Sequence, residues 1–153
     1  MLSAFLREII VYANTRLERM SGGRYVLKLS KELSGNNLSG LDMEIYDAYT
    51  GGVRPTASLS GGETFMVSIS LALGLADSIQ TRSGGIRLDS MFIDEGFGSL
   101  DEASLENAIS ILDEVRGNRM VGIISHVSEL KTRIPQKIEI EKTANGSAIK
   151  IRG

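Results

Sequence analysis

The stretch Met91-Phe92-Ile93-Asp94-Glu95 ends a short apolar run in two adjacent acids. An apolar run between turn signals suits a strand buried on both faces of a parallel sheet. Ligands of such sheets bind beyond the carboxyl ends of the strands. At that place Asp94 can order a magnesium shell, and Glu95, pointing the other way, can accept a proton from an attacking water. A second stretch, Ser60-Gly61-Gly62-Glu63, has Ser60 and Glu63 at capping-box spacing for a helix start. Capping leaves its two glycines unexplained, since each costs up to ~1 kcal/mol relative to alanine inside a helix. A helix start with free amides, no side chains in the way and a hydroxyl nearby is an anion site, most often for phosphate. A third, Gly96-Phe97-Gly98-Ser99-Leu100-Asp101, leads into another helix, with Ser99 and Glu102 again at capping-box spacing. The sole histidine, His126, follows the apolar run Val121–Ile124. It shares an edge with Asp94 and Glu95 if the two strands run parallel. Each stretch taken alone has a structural reading: a capped helix, a strand running into solvent, a glycine turn, a structural histidine. Their convergence on one sheet edge is what points to chemistry.

The elements that must position these residues are legible in the hydrophobic pattern. Leu2, Phe5, Leu6, Ile9, Ile10, Ala13, Leu17 and Met20 recur at helical spacing over residues 1–20, and Ser21-Gly22-Gly23 closes that helix. Tyr25–Leu29 predicts a strand, residues 30–40 a loop, and Leu41, Met43 and Ile45 a second strand. Thr50-Gly51-Gly52 turns the chain and Pro55 keeps the next stretch extended. Glu63 to Thr81 is apolar almost all round, which predicts a central buried helix, broken at Ser83-Gly84-Gly85. Residues 99–116 form another helix with Leu105, Ala108, Ile109, Leu112 and Val115 on one face. A short helix follows His126, and Ile138, Ile140, Ile149 and Ile151 flank Asn145-Gly146 in a hairpin. The fold class is α/β in one domain, 1–153, divisible into lobes at 57/58, with a right-handed crossover between the buried strands.

Composition narrows the function. The chain has 153 residues, 42% hydrophobic and 24% charged, enough for one well-filled core. Zero cysteines exclude disulfides, thiolate metal sites and cysteine nucleophiles, and one histidine excludes a multi-histidine metal centre. A net charge of −2 gives no global nucleic-acid footprint. The apolar stretch Met66–Ala76, broken by Ser68 and Ser70, is short of the ~20 residues that span a bilayer. The expectation is a cytoplasmic protein without a membrane partner.

Taken together the motifs resemble ABC-type ATPases. Leu59-Ser60-Gly61-Gly62-Glu63 resembles their signature motif, Met91–Glu95 their Walker B strand, Ser99-Leu100-Asp101 the D-loop and His126 the switch histidine. The resemblance is strongest over 58–130. Asp94-Glu95-Gly96-Phe97-Gly98-Ser99-Leu100-Asp101 differs from the transporter form and resembles the SbcC-type DNA-repair ATPases, relatives of the SMC proteins, as does Ile124-Ser125-His126-Val127. In that family a long coiled coil returns to the head where residues 1–20 stand.

A lysine loop of the pattern G-x-x-x-x-G-K-[ST] is missing. Gly35 with Gly40 and Gly117 with Gly122 have the outer spacing but are followed by Leu41-Asp42 and Ile123-Ile124. The resemblance therefore implies the C-terminal half of a head, inactive alone, with Met1 not the natural start. It implies ATP and Mg2+ as ligands, both needing an N-terminal half of the same head. It also implies a second head as homodimer, an SbcD-type nuclease subunit, and DNA. By resemblance Asp94 orders the metal, Glu95 and His126 are catalytic, and Ser60, Gly61, Gly62 and Glu63 contact the partner head's nucleotide, with Asp101 at the interface. The alternatives are another SMC-like or RecN-like repair head, a non-catalytic dimerisation module, or a small metal hydrolase using Asp94, Glu95 and His126.

Overall fold

The computed structural model describes residues 2–30, 42–82, 88–117, 119–144 and 146–153. The expected loop over 30–40, Leu41, the break at Ser83-Gly84-Gly85 and Asn145 of the hairpin lie outside the described residues, Ser30 apart. In chain order the elements are α1 (Leu2–Met20), β1 (Tyr25–Leu29), β2 (Met43–Asp47), β3 (Gly52–Pro55), α2 (Gly61–Arg82), β4 (Ser90–Asp94), α3 (Glu102–Arg116), β5 (Met120–Ile124), α4 (Ser128–Arg133), β6 (Lys137–Thr143) and β7 (Gly146–Arg152). Single 3-10 turns, Thr56–Ser58 and Phe97–Ser99, precede α2 and α3.

The strands form three separate sheets: β1-β2-β3 antiparallel, β4-β5 parallel, and β6-β7 as an antiparallel hairpin. Strand β3 goes beyond the expected extended stretch, since Tyr46 pairs with Val53 and Glu44 with Pro55. One core joins α1, α2, α3 and the first sheet through Leu17, Met20, Leu27, Ile45, Leu73, Phe97 and Ala108. Helices α1 and α2 cross closely: a Cβ on Gly74 would stand 2.6 Å from the Ile9 carbonyl oxygen and 2.9 Å from the Ala13 nitrogen. Arg16–Asp77 and Arg82–Glu8, each at 2.5 Å, pin the same pair of helices.

Three expectations need correction. Helix α2 begins at Gly61 rather than Glu63, and it is buried on one side only. Met66, Val67, Ile69, Ser70, Leu73 and Ala76 face inward, whereas Thr64, Ser68, Ala72 and Leu75 lie open. By length and composition α2 could cross a membrane, but 44% of that window is buried in protein, and Asp77 within it is ion-paired to Arg16 and Arg119. Strands β4 and β5 are covered on one face, not two. Met91, Ile93, Val121 and Ile123 pack on the core, while Phe92, Met120 and Ile124 are 69%, 58% and 56% exposed. The physical reason is that, among the described residues, this two-stranded parallel sheet has one layer of helices and its second face has none. Finally, α3 is capped by Asp101, which accepts from the Ser104 amide at 2.8 Å, and not by Ser99. Ser99 is taken into the preceding turn, where its hydroxyl donates to the Gly96 carbonyl at 2.6 Å.

Candidate nucleotide site at the strand ends

The parallel register of β4 on β5 pairs Asp94 with Ile124, so both strands end at the same edge. The Glu95 amide extends the ladder by one bond, donating to the Ile124 carbonyl at 2.8 Å. The chain then turns sharply. Glu95 has φ +59°, the left-handed region that costs a non-glycine residue of order 1–3 kcal/mol. That turn separates Asp94 from Glu95 and sends the Glu95 carboxylate across to the end of β5, where Oε2 lies 2.9 Å from Nδ1 of His126. An ionised carboxylate can only accept, so Nδ1–H donates and Nε2 is left for another partner. Both side chains are open to solvent, His126 at 80% and Glu95 at 48%. Asp94 is also exposed. Among the described residues no three acidic or histidine side chains group into a metal cage. One carboxylate on an open edge suits magnesium, which keeps several waters and is bound by one or two carboxylates plus substrate phosphates.

The glycine-rich turn lies against this edge. Ser60 caps α2 by the expected reciprocal pair: the Ser60 amide donates to Glu63 Oε2 at 2.8 Å and the Glu63 amide to Ser60 Oγ at 3.4 Å. The amides of Gly61 and Gly62 have no acceptor among the described residues. The two glycines have different reasons. A Cβ on Gly62 would stand 2.5 Å from the Ser99 carbonyl oxygen, so packing against the turn before α3 demands glycine there. A Cβ on Gly61 would make only an ordinary 3.6 Å contact with Ser99 Cβ. Packing accounts for Gly62, and Gly61 alone keeps the argument from ligand approach. Phe65, one turn into α2, meets Phe97 edge to face at 4.7 Å, which holds the glycine turn and the acid turn together.

Two expected site residues are turned toward protein. Asp101 gives its oxygens to the amide and hydroxyl of Ser104, at 2.8 and 3.0 Å, and the Ser104 amide holds its carboxyl below the usual range. Glu63 accepts from Ser60, from Arg54 Nη2 at 3.0 Å and from the Tyr25 hydroxyl. Burial pushes the Glu63 carboxyl up, but the bonds from Tyr25, Ser60 and Arg54 outweigh it and bring it down to about 2. Burial and the bond to Glu63 push the Tyr25 phenol up to about 12. Tyr25 and Arg54 were invisible to sequence reasoning. They stand 38 and 9 residues from Glu63, on two strands of another sheet, and no local spacing signals the contact.

Residues 40–114 match the SbcC/RAD50-like Walker B family model. The chain is 67% identical over 150 residues, 97% of its length, to the SbcC subunit of the SbcCD nuclease from Treponema pallidum. It belongs to the SbcC/RAD50-like family. Identity to the SbcC subunit from Vibrio cholerae is 49% over 152 residues, 98% of the chain. The chain spans only 14% and 15% of the length of these two relatives. Among solved structures, one described under ATP-driven dimerization and DNA-stimulated activation of SMC ATPases superposes with a TM-score of 0.75 at 15% identity, over 97% of this chain and 85% of that one. The Smc head with coiled coil from Pyrococcus yayanosii gives 0.74 at 16% identity, over 95% of this chain and 27% of that one. At those identities the likeness establishes the fold, that of SMC ATPase heads.

Proposed function

We propose that the chain is the C-terminal half of an ATP-hydrolysing head, completed by an N-terminal half that carries the lysine loop. The observation that carries this is the Glu95–His126 pair, at 2.9 Å on the shared end of two parallel strands, in a chain with no G-x-x-x-x-G-K-[ST] loop. The open face of Phe92, Met120 and Ile124 supports it, since a parallel sheet covered on one side needs a further layer or further strands.

In this reading Glu95 takes the proton of the water that attacks the γ-phosphorus. Its place in a positive-φ turn beside His126 fixes the carboxylate without consuming both of its oxygens. His126, its ring held by the bond between Nδ1 and Glu95, would contact the terminal phosphate. Asp94, at the end of β4, would hold Mg2+ through water, and the ion would neutralise charge on the phosphates. The Gly61 and Gly62 amides and the Ser60 hydroxyl of one head reach the nucleotide of a second head. ATP then joins two heads and hydrolysis releases them, by differential affinity for the closed state. The output is control of an SbcD-type nuclease subunit acting on DNA ends in double-strand-break repair. The region 58–130 carries the motifs, and α1 stands where a coiled coil would return.

The test is co-purification with a loop-bearing N-terminal half, followed by ATP turnover and ATP-dependent dimerisation measured by light scattering. Turnover that needs both halves supports the reading. Stable assembly without turnover identifies a non-catalytic dimerisation module instead, and tight ATP binding by the chain alone overturns the half-head assignment.

A further inference from the structure

Glu63 does more than a capping box requires. Such a box needs only the reciprocal bonds between Ser60 and Glu63. Here the second carboxylate oxygen, Oε1, takes two further donors from the other sheet, Tyr25 of β1 and Arg54 of β3. Arg54 also reaches the opposite end of the same turn: Nη1 donates to the Ser58 carbonyl at 3.0 Å and to Ser58 Oγ at 3.1 Å. Ser58 Oγ in turn donates to the Pro55 carbonyl at 2.7 Å. One planar guanidinium thus grips Ser58 before the turn and Glu63 after it, bracketing Leu59-Ser60-Gly61-Gly62. Tyr25 lies beneath, with the Arg54 guanidinium carbon 5.8 Å from its ring centre.

The electrostatic consequence is as definite as the geometric one. The Glu63 carboxylate is ionised throughout the working pH range and lies one residue beyond the free Gly62 amide. A phosphate approaching the Gly61 and Gly62 amides meets that negative charge. Arg54 is the cation that offsets it, and it is 28% exposed, so its charge is only partly screened.

We propose that Arg54, steadied by Tyr25, is a positioning residue for the anion-binding turn: it fixes the segment from Ser58 to Glu63 and cancels the Glu63 charge, so that the free amides can donate to a phosphate oxygen of the nucleotide on a partner head. This rests on the reading that the turn serves a nucleotide held by a second head. Arg54 makes no contact with that nucleotide and acts through the turn alone.

The experiment uses the complete head assembled from the chain and its loop-bearing N-terminal half. Three quantities are read: binding of a fluorescent ATP analogue to undimerised heads at low protein concentration, ATP-dependent dimerisation, and turnover. Arg54→Ala, which removes three charge-assisted hydrogen bonds from the turn, is expected to leave nucleotide binding by single heads unchanged and to weaken dimerisation and turnover about tenfold or more. Adding Glu63→Gln to Arg54→Ala removes the uncompensated charge while keeping an acceptor for the Ser60 amide, and it should recover part of that loss. Arg54→Lys, which keeps the charge without the fork, should fall between, and it serves if the alanine variant does not fold. Unchanged dimerisation in both Arg54 variants overturns the proposal alone. A uniform fall in all three quantities with no recovery by Glu63→Gln also overturns it, since that is what a merely structural residue produces. A wild-type head that neither dimerises on ATP nor turns it over overturns the underlying reading, and the proposal with it.

Discussion

Gly61 and Gly62 are neighbours of the same type at the same helix start, yet alanine at the two positions should behave oppositely. At Gly62 the added Cβ meets the Ser99 carbonyl oxygen at 2.5 Å and the Ser99 carbonyl carbon at 3.3 Å. Both are backbone atoms of a turn held by the Ser99–Gly96 bond and by buried Phe97, so neither can swing away as a flexible side chain could. The insertion therefore has the character of overpacking, which costs about 1–3 kcal/mol. At about 2–4 °C per kcal/mol for a chain of this size, Gly62→Ala should lower Tm by roughly 2–12 °C. At Gly61 the same Cβ finds Ser99 Cβ at 3.6 Å, an ordinary contact. Gly61→Ala should leave stability within about 0.5 kcal/mol of wild type. Thermal unfolding followed by circular dichroism separates the two. In the assembled head the order of interest changes: Gly61→Ala, although as stable as wild type, should impair ATP-dependent dimerisation by crowding the free amides. Equal Tm values for the two variants would refute the packing argument. A Gly61→Ala head that dimerises on ATP as well as wild type would refute the claim that Gly61 is kept for ligand approach.

Further outcomes follow from other parts of the structure. Glu95→Gln in the assembled head should lower turnover by about 10²-fold or more while ATP-dependent dimers persist, since only proton transfer is removed; steady turnover by the variant sinks the assignment of the base. Tyr25→Phe removes a hydrogen bond to a charged acceptor and should cost about 1.5–3 kcal/mol at neutral pH by urea unfolding. Because the Glu63 carboxyl is depressed from 4.5 to about 2 in the folded state, its contribution is complete above pH 4.5 and is lost as pH falls toward 2, so the gap between Tyr25→Phe and wild type should close over that window. Asp101→Ala deletes the cap of α3 and should cost about 1 kcal/mol by the same measurement. Phe92→Ser, at a 69% exposed position, should leave the chain's own stability within about 0.5 kcal/mol of wild type yet prevent co-purification with the N-terminal half.

Legibility in the sequence tracked how local the governing interaction was. The span Tyr25–Leu29 is the strand expected there, and Ser60 with Glu63 forms the capping box its spacing predicts. Both are decided within a few residues. The approach of His126 to Glu95 was also readable, because it needs only two apolar runs to lie parallel, which places both strand ends on one edge. Ser99 misled because Asp101, two residues further on, took the cap of α3. Asp101 won by reaching the Ser104 amide, and the Ser99 hydroxyl was drawn back to Gly96 instead. The grip of Tyr25 and Arg54 on Glu63 was unreadable, since it depends on how the β1-β2-β3 sheet seats against α2, and nothing in local spacing encodes that.

The burial of β4 and β5 departs from the pattern for a different reason, and that departure is informative. An apolar run such as Met91-Phe92-Ile93 is written for the complete environment of the strand. Periodicity reports that environment whether or not the covering layer belongs to the same stretch of chain. Here alternate residues, Met91 and Ile93, find the core, while Phe92 is left in solvent beside Ile124. On α2 the excess is slight, since its open side carries Thr64, Ser68, Ala72 and Leu75, the last 39% exposed. It appears again on the hairpin, where Ile138, Ile140, Ile149 and Ile151 are each at least 67% exposed. The β4-β5 sheet and the hairpin thus carry apolar surface that no described residue covers. On each of these sheets an exposed apolar face of this kind marks an interaction surface. The mismatch between hydrophobic pattern and observed burial on the β4-β5 sheet and the hairpin therefore supports the proposed partner half by an argument independent of any motif.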